Sequence, residues 1–187
     1  MLTPIHIDPH ITLRPFREGD AAPMFEIIDR DREYLAEFLP WVDAIATLED
    51  EEEFVETTMS GPTTGSDARA SFVIEYQSEI AGTIGVRLTN SQSGIGAIGY
   101  WLAEPMQRKG IMTRSCEAVT AHGFDEMDLR RIEIYADPEN PKSRAIPLRL
   151  RYSDDGVVLY TMPVSGKTQP MAAYSMTVEN WRARNSA

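Results

Sequence analysis

Cysteine is almost absent from this chain: Cys116 is the only one among 187 residues. One thiol cannot close an internal disulfide, so the sequence excludes a small disulfide-stapled scaffold. The three histidines, His6, His10 and His122, are scattered without the spacing of metal ligands. We therefore predict no metal site, and we expect Cys116 to be a buried, unreactive thiol on the apolar stripe of a helix.

Long apolar runs are missing as well. No stretch approaches the roughly 20 residues that a membrane-spanning helix needs, and the opening MLTPIHIDPH lacks the layout of a secretory signal. We therefore expect a cytoplasmic protein with no membrane partner. A hydrophobic fraction of 42% and a charged fraction of 25% are those of a globular protein. The length predicts a single domain over residues 1–187.

Basic residues are scarce in the first third of the chain. Residues 1–60 contain 15 acidic side chains and only four arginines, so they carry the whole net charge of −11. Such a surface disfavours direct nucleic-acid binding, because that binding depends on neutralising phosphates with Lys and Arg. It suits a cationic partner such as an amine or a basic protein. A solvated, like-charged surface explains the same pattern equally well.

The spacing of the apolar residues predicts an α/β chain with a mixed sheet of about seven strands and about four helices. Helices are predicted to begin at Asp20 and after an N-cap at Thr47, and two more are predicted near 110–128 and 143–151. Tight turns are predicted at Ser78-Glu79 and Ser165-Gly166. The predicted strands lie at 11–17, 71–77, 80–88, 95–102, 131–136, 157–164 and 171–178.

One strand-to-helix junction has the features of a binding site. A loop containing Gln107, Arg108, Lys109 and Gly110 follows the strand at 95–102 and precedes a helix. A helix start presents unpaired N–H groups and a positive dipole end, which together favour a phosphate. The alternative is an ordinary helix start with solvated charges. The chain lacks the GxxxxGK(S/T) of a nucleotide-hydrolysing P-loop and the GxGxxG of a dinucleotide fold.

Three segments resemble a known family. QRKGIMT, at 107–113, resembles the acetyl-CoA signature of the GNAT acetyltransferase superfamily, Gln/Arg-x-x-Gly-x-Gly/Ala. ENPKSRAIPLRLRY, at 139–152, resembles the family's following helix. DRDREYLAEFLPWVD, at 29–43, is similar to the substrate-side helix of the RimJ/RimL branch, the ribosomal-protein N-terminal acetyltransferases. The three segments occur in the order that the family has them.

The resemblance implies the GNAT fold, with a mixed, mostly antiparallel and splayed central sheet. The strands at 95–102 and 131–136 would part, and the pantetheine arm of acetyl-CoA, the acetyl donor, would lie in the gap. Its pyrophosphate would meet the backbone amides of residues 107–113. The residues that the resemblance assigns to cofactor binding are Trp101, Leu102, Gln107, Arg108, Lys109, Gly110, Ile111, Met112, Thr113, Asn140 and Ser143.

The resemblance also implies catalytic roles. The chemistry needs an amine to lose a proton, an oxyanion to be held and a departing thiolate to be protonated. Ser143 matches the residue that donates to the sulfur; the alternative is the N-terminal hydroxyl of a short helix. Met162 stands where relatives often carry a glutamate, which leaves Glu133 as the candidate base. The alternative for Glu133 is a salt-bridged strand residue.

On the substrate side the resemblance implicates Tyr34, Trp41 and Asp43. An aromatic edge beside an acid can cradle a cationic amine, although Trp41 equally suits a core position. We expect direct acetyl transfer to a primary amine in a ternary complex, with a protein N-terminus of the ribosomal type as acceptor. A small amine, such as a polyamine or an aminoglycoside, and a non-catalytic acyl-CoA-binding regulatory protein are the alternatives. The sequence leaves open whether the protein forms a homodimer.

Overall fold

The structure is a computed structural model that describes residues 2–162 and 166–185. The strands are β1 (Ile5–His6), β2 (Ile11–Pro15), β3 (Arg69–Tyr76), β4 (Glu79–Asn90), β5 (Ile95–Leu102), β6 (Arg131–Ala136), β7 (Ser153–Thr161) and β8 (Thr168–Thr177). The helices are α1 (Ala21–Arg30), α2 (Arg32–Ala36), α3 (Leu48–Met59), α4 (Ile111–Asp125), α5 (Pro141–Arg149) and α6 (Val178–Asn185).

The strands form one sheet in the order β1-β2-β3-β4-β5-β6-β8-β7. β5 and β6 run parallel, whereas β1 with β2, β2 with β3, β6 with β8 and β7 with β8 run antiparallel. The parallel ladder holds four residue pairs and ends at Ile98 with Ile134. β5 continues to Leu102. Its last four residues are therefore not paired with β6 in the described part of the chain.

Most element boundaries lie within about two residues of the predicted ones; the largest difference is at β7, which begins four residues before the predicted strand at 157–164, and the last two residues of that prediction lie outside the described residues. The strands at 95–102 and 131–136 match at both ends, and Thr47 is confirmed as the N-cap of α3, because its hydroxyl accepts from the Asp50 amide. The first hairpin turn falls one residue earlier than predicted, at Gln77-Ser78, where both φ angles are positive. The strand β1 and the helix α6 were not predicted. The predicted turn at Ser165-Gly166 lies partly outside the described residues.

The chain divides into two compact units, each with its own core. The first unit consists of Met1–Gly61, Ser71–Ile84 and Tyr100–Ser115. The second consists of Pro62–Ala70, Gly85–Gly99 and Cys116–Ala187. No helix among the described residues has the length and apolar character needed to cross a bilayer.

The core of the first unit forms around α1. Ala21, Met24 and Ile28 recur at helical spacing and are buried. Val55 from α3 and Val73 from β3 belong to the same apolar cluster. The hydrophobic stripe of α1 therefore sits against both a helix and a strand of its own unit.

The core of the second unit forms on one face of β6 and β8. Ile132 and Ile134 are buried on the same face, and Tyr174 pairs with Ile134. Arg144 of α5 donates to the Tyr174 hydroxyl at 3.0 Å, which attaches that helix to β8. Cys116 is fully buried, and burial raises the pKa of its thiol to about 12. The thiol is therefore protonated near neutral pH and serves the core.

Candidate functional site

The loop between β5 and α4 has the backbone geometry of an anion site. A 3-10 turn over Glu104–Met106 ends β5, and α4 begins at Ile111. Arg108 and Gly110 both adopt positive φ angles, of 61° and 71°, with a residue of ordinary φ between them. Alternation of left-handed and right-handed residues turns successive N–H groups toward one side, which forms a concavity that binds anions.

Most backbone amides of this loop make no hydrogen bond within the described residues and can therefore bind an anion. No backbone hydrogen bond within the described residues uses the amides of residues 108–113. The side-chain amide nitrogen of Gln107 is buried and has no partner among the described residues. A buried donor without an acceptor costs free energy, so a ligand oxygen that accepted from this amide would stabilise the loop. The predicted cofactor residues from Arg108 to Thr113 thus offer six consecutive free backbone amides, whereas the Gln107 backbone amide donates to the Glu104 carbonyl and only its side-chain amide is without a partner among the described residues.

The end of β5 is held by a close backbone approach within the first unit. Ala103 donates its amide to the Ala81 carbonyl at 2.8 Å. A Cβ atom at Gly82, whose φ is 154°, would lie 2.2 Å from the Trp101 carbonyl oxygen. Only glycine fits there, because any side chain would displace the backbone of Trp101 and Leu102. The predicted pantetheine-contacting backbone is therefore fixed by a neighbouring glycine that the sequence reading did not single out.

In the second unit, Asn140 and Ser143 lie at the start of α5. The Asn140 side chain accepts from the Ser143 amide at 3.0 Å, and Pro141 fills the first helical position. Asn140 is thus an N-cap that fixes the first turn of α5. Ser143 is half-buried on that turn. The cap orients Ser143, and the roles predicted for the two side chains stay predictions.

Glu133 on β6 is already engaged on both carboxylate oxygens. One accepts from the Arg131 guanidinium at 2.9 Å, and the other accepts from the Tyr135 hydroxyl at 2.6 Å. Burial and the hydrogen bond to Glu133 raise the pKa of Tyr135, so the phenol remains the donor. The Tyr135 ring stacks on Tyr160 with centroids 4.0 Å apart. As a base, Glu133 would have to act from within this network.

The predicted substrate-side residues differ in environment. Tyr34 and Trp41 are half-buried and pack against the core of the first unit, and Trp41 lies 6.1 Å from Trp101 between ring centroids. Burial and the negative charge of Glu104 raise the pKa of the Tyr34 hydroxyl. Asp43 is exposed. Tyr34 and Trp41 therefore contribute to the core as well as to any surface, whereas Asp43 is solvated.

Two polar residues of the first unit were not predicted from the sequence pattern. Arg114 hydrogen-bonds the carbonyls of Lys109 and Gly110, which only its spacing four residues after Gly110 on a helix could have indicated. Glu51 is 1% exposed, although it belongs to an acidic run, residues 49–53, in which first-turn acids are favoured by the helix dipole without being buried. Its position between Leu48 and Val55, at spacings of three and four, was the available signal.

Residues 10–153 match the family described as the acetyltransferase (GNAT) domain. The chain belongs to the GNAT acetyltransferase family. The family membership inferred from the three sequence segments is therefore confirmed, and so is the expectation of an acetyltransferase.

Similar proteins extend this result across most of the chain. The ribosomal-protein-serine acetyltransferase of Escherichia coli is 26% identical over 149 residues, which cover 80% of this chain and 82% of the relative. The microcin C7 self-immunity acetyltransferase MccE, solved with acetyl-CoA and AMP, is 22% identical with a TM-score of 0.82, covering 93% of this chain and 96% of that one. RimL, the ribosomal L7/L12 alpha-N-protein acetyltransferase, solved with coenzyme A, is 21% identical with a TM-score of 0.80, covering 95% and 99%.

These likenesses confirm the predicted fold class. The GNAT acetyltransferase has a mixed, mostly antiparallel sheet, here with eight strands and six helices in the described residues rather than about seven and about four. The additional strand is the two-residue β1, and the additional helices are α6 and the separate short helix α2. Asp31 separates α1 from α2 and accepts from the Glu104 amide at 2.8 Å, so two helices follow where one was predicted to begin at Asp20.

Proposed function

We propose that this GNAT acetyltransferase moves the acetyl group of acetyl-CoA to a primary amine, and that the amine is the N-terminal α-amine of a protein. One observation carries the donor half of this proposal: six consecutive amides and the buried Gln107 side-chain amide converge on one loop without a protein acceptor in the described residues. The acceptor half is supported by the ribosomal-protein acetyltransferases of Escherichia coli and of the RimL structure, which are similar to this chain.

The loop fits a pyrophosphate in charge and in shape. Its free N–H groups and the start of the 15-residue helix α4 favour negative charge. Arg108 and Lys109 are exposed and add two positive charges. Gly110 has no side chain to occupy the concavity, and its φ of 71° suits glycine. We assign residues 107–113 to the donor's pyrophosphate, with Trp101 and Leu102 offering backbone to its pantetheine arm.

Acetyl-CoA supplies an activated acetyl group as a thioester. As the amine nitrogen bonds the acetyl carbon and the C–S bond breaks, we assign Ser143, whose backbone is fixed by the Asn140 cap, to donate its hydroxyl proton to the departing sulfur and to regain a proton from solvent. A terminal α-amine has a pKa near 8, so a modest acceptor is enough to remove its proton. Glu133 is our candidate for that step, and its hydrogen bonds from Arg131 and Tyr135 hold the carboxylate in one orientation.

The charge of the first unit supports a cationic acceptor. The 15 acidic residues among positions 1–60 raise the local concentration of a protonated amine. Burial raises the pKa of the Tyr34 hydroxyl most, and the negative charges of Glu104, Glu37 and Asp31 raise it further, so the surroundings of Tyr34 are negative. We therefore assign Tyr34, Trp41 and the exposed Asp43 to acceptor binding.

The test is an acetyl-transfer assay with three acceptor classes. Purified protein and acetyl-CoA are incubated with peptides that carry ribosomal-protein N-termini, with the same peptides blocked at the α-amine, and with polyamines and aminoglycosides. Mass spectrometry should find one acetyl group on the free N-termini alone. Acetylation confined to the small amines would overturn the choice of acceptor, and acetyl-CoA binding without any turnover would overturn the assignment as a catalyst of this reaction.

A matched pair of variants tests the assigned proton donor. Ser143→Ala should lower kcat by at least about tenfold while the Kd for acetyl-CoA stays within about twofold, because the hydroxyl acts on the leaving group. Ser153→Ala is the control, since Ser153 is exposed on β7 and has no assigned role. Equal activity of the two variants would remove Ser143 from the mechanism.

A further inference from the structure

The loop that we assign to the pyrophosphate is braced from behind by one side chain, Arg114. Its Nη2 donates to the Lys109 carbonyl at 2.9 Å, and its Nε donates to the Gly110 carbonyl at 3.3 Å. The Arg114 backbone amide also donates to the Gly110 carbonyl, at 3.2 Å. Both carbonyls of the tightest part of the loop are therefore turned toward Arg114.

Because each peptide bond is planar, a hydrogen bond that fixes a carbonyl of the loop also fixes the direction of the next N–H group. In a trans peptide the C=O and the following N–H point to opposite sides of the chain. Fixing the Lys109 carbonyl therefore fixes the Gly110 amide in the opposite direction, and fixing the Gly110 carbonyl fixes the Ile111 amide. Two of the free donors of the loop are thus aimed away from Arg114 by bonds that Arg114 makes.

Arg114 is itself held by the N-terminal segment. Its Nη1 forms a salt bridge with Oδ2 of Asp8, in the turn between β1 and β2. The other oxygen, Oδ1, accepts from the amides of His10 at 2.7 Å and Ile11 at 2.9 Å. These amide hydrogen bonds and the nearby Arg114 charge lower the pKa of Asp8, so the carboxylate is charged. Asp8 therefore keeps the guanidinium on the carbonyl side of the loop.

We propose that Arg114 is a positioning residue for the donor's pyrophosphate and that Asp8 orients it. This inference rests on the proposed function, because the anion is the pyrophosphate of acetyl-CoA. Arg114 acts through the backbone: it aligns the Gly110 and Ile111 amides before the ligand arrives, so binding need not order them. The side chain does not ligate the anion.

The two carboxylate oxygens of Asp8 allow an isosteric test of this arrangement. Asp8→Asn keeps Oδ1, and with it the turn at His10 and Ile11, but replaces the oxygen that bonds Arg114 with an NH2 group. If Arg114 acts as a brace, this change frees the guanidinium, disorders the loop and weakens acetyl-CoA binding. If Arg114 were instead a direct ligand of the anion, releasing it from Asp8 would strengthen binding. The sign of the change separates the two roles.

The experiment measures the Kd and KM for acetyl-CoA, and kcat at saturation, in the full chain. Arg114→Met should weaken acetyl-CoA binding by about 10- to 100-fold, the range expected for losing preorganised hydrogen bonds to a charged group. Arg114→Lys keeps the positive charge but loses the planar, two-pronged guanidinium. Its affinity for acetyl-CoA should therefore fall between that of the parent and that of Arg114→Met. Asp8→Asn should weaken binding by several-fold. KM should rise by the same factors while kcat stays within about twofold.

Arg130→Met is the matched control, because Arg130 is exposed and its loss changes the net charge equally. Tighter binding by Asp8→Asn, or unchanged binding by both Arg114→Met and Asp8→Asn, would overturn the inference. Failure of the parent protein to bind acetyl-CoA would instead overturn the proposed function. A thermal melt of each variant checks folding; if Arg114→Met unfolds, the Arg114→Lys and Asp8→Asn pair decides the question.

Discussion

The buried carboxyl of Glu51 makes a prediction whose size follows directly from the structure. Glu51 is 1% exposed on α3, on the face that also carries Val55, and one of its carboxyl oxygens has no hydrogen-bond partner among the described residues. Burial raises the pKa of this carboxyl from an ordinary 4.5 to about 7. The folded protein therefore keeps a proton that the unfolded chain releases in that pH range.

The direction of the pH dependence follows from proton linkage. Between pH 4.5 and about 7 the folded state binds one more proton at Glu51 than the unfolded state, so the free energy of unfolding falls as the pH rises. At 1.36 kcal/mol per pKa unit the full loss is about 3 kcal/mol, and about three-quarters of it falls between pH 5 and pH 8. Above pH 8 the Glu51 contribution is constant.

The perturbation is Glu51→Gln, which stays neutral at every pH. Urea unfolding of the parent and of the variant at pH 5 and pH 8 gives four free energies of unfolding. Glu51→Gln should be more stable relative to the parent at pH 8 than at pH 5, by about 2 to 3 kcal/mol. This double difference cancels the other titrating groups and the cost of the buried amide.

Glu49→Gln is the control for the helix dipole. Glu49 lies in the same first turn of α3 but is exposed, so it shares the loss of a negative charge at a helix start. Its stability relative to the parent should change by less than about 0.5 kcal/mol between the two pH values. A double difference for Glu51→Gln as small as that of Glu49→Gln would refute the buried carboxyl and the packing of α3 on which it depends.

Three further outcomes test other parts of the structure. Gly110→Glu should weaken acetyl-CoA binding by about 100-fold or more in a calorimetric titration, because a side chain at positive φ strains the loop and its charge repels the pyrophosphate. An affinity equal to that of the parent would contradict the placement of the anion. Gly82→Ala should lower the free energy of unfolding by about 3 kcal/mol, because its Cβ would meet the Trp101 carbonyl. Gly99→Ala is the control, because a Cβ at Gly99 meets open space, and it should cost under about 1 kcal/mol. Equal losses for the two variants in urea melts would argue against the close approach. Thr47→Ala should cost about 1 kcal/mol in the same melts through loss of the α3 cap, and no loss would show that the cap is dispensable.

The local sequence pattern was enough to predict a strand or helix when one buried face determines its structure. The strand at 131–136 matched at both ends because Ile132 and Ile134 alternate with polar residues and face the core. Thr47 was identified because an N-cap followed by acidic residues is a local feature. The loop that we assign to the pyrophosphate could be proposed from the sequence because a strand, a basic loop with a glycine and a helix follow each other directly.

Features that depend on contacts between distant residues were not predictable in this way. Gly82 matters because the backbone of Trp101 approaches it, and Arg114 matters because Asp8, more than a hundred residues earlier, holds its side chain. Glu51 looked like one more surface acid in a run of five, and only the packing of α3 reveals that it is buried. A single sequence gives no direct signal for such pairings.

The proposed function depends most directly on the binding of acetyl-CoA to the loop at 107–113. A calorimetric titration of the purified protein with acetyl-CoA, desulfo-CoA and ATP tests it in one experiment. We predict saturable binding of acetyl-CoA and of desulfo-CoA, which keeps the pyrophosphate, and binding of ATP at least about tenfold weaker, because ATP lacks the pantetheine arm. Absence of saturable binding by acetyl-CoA, or equal binding by ATP, would contradict the assignment of this loop and of the donor.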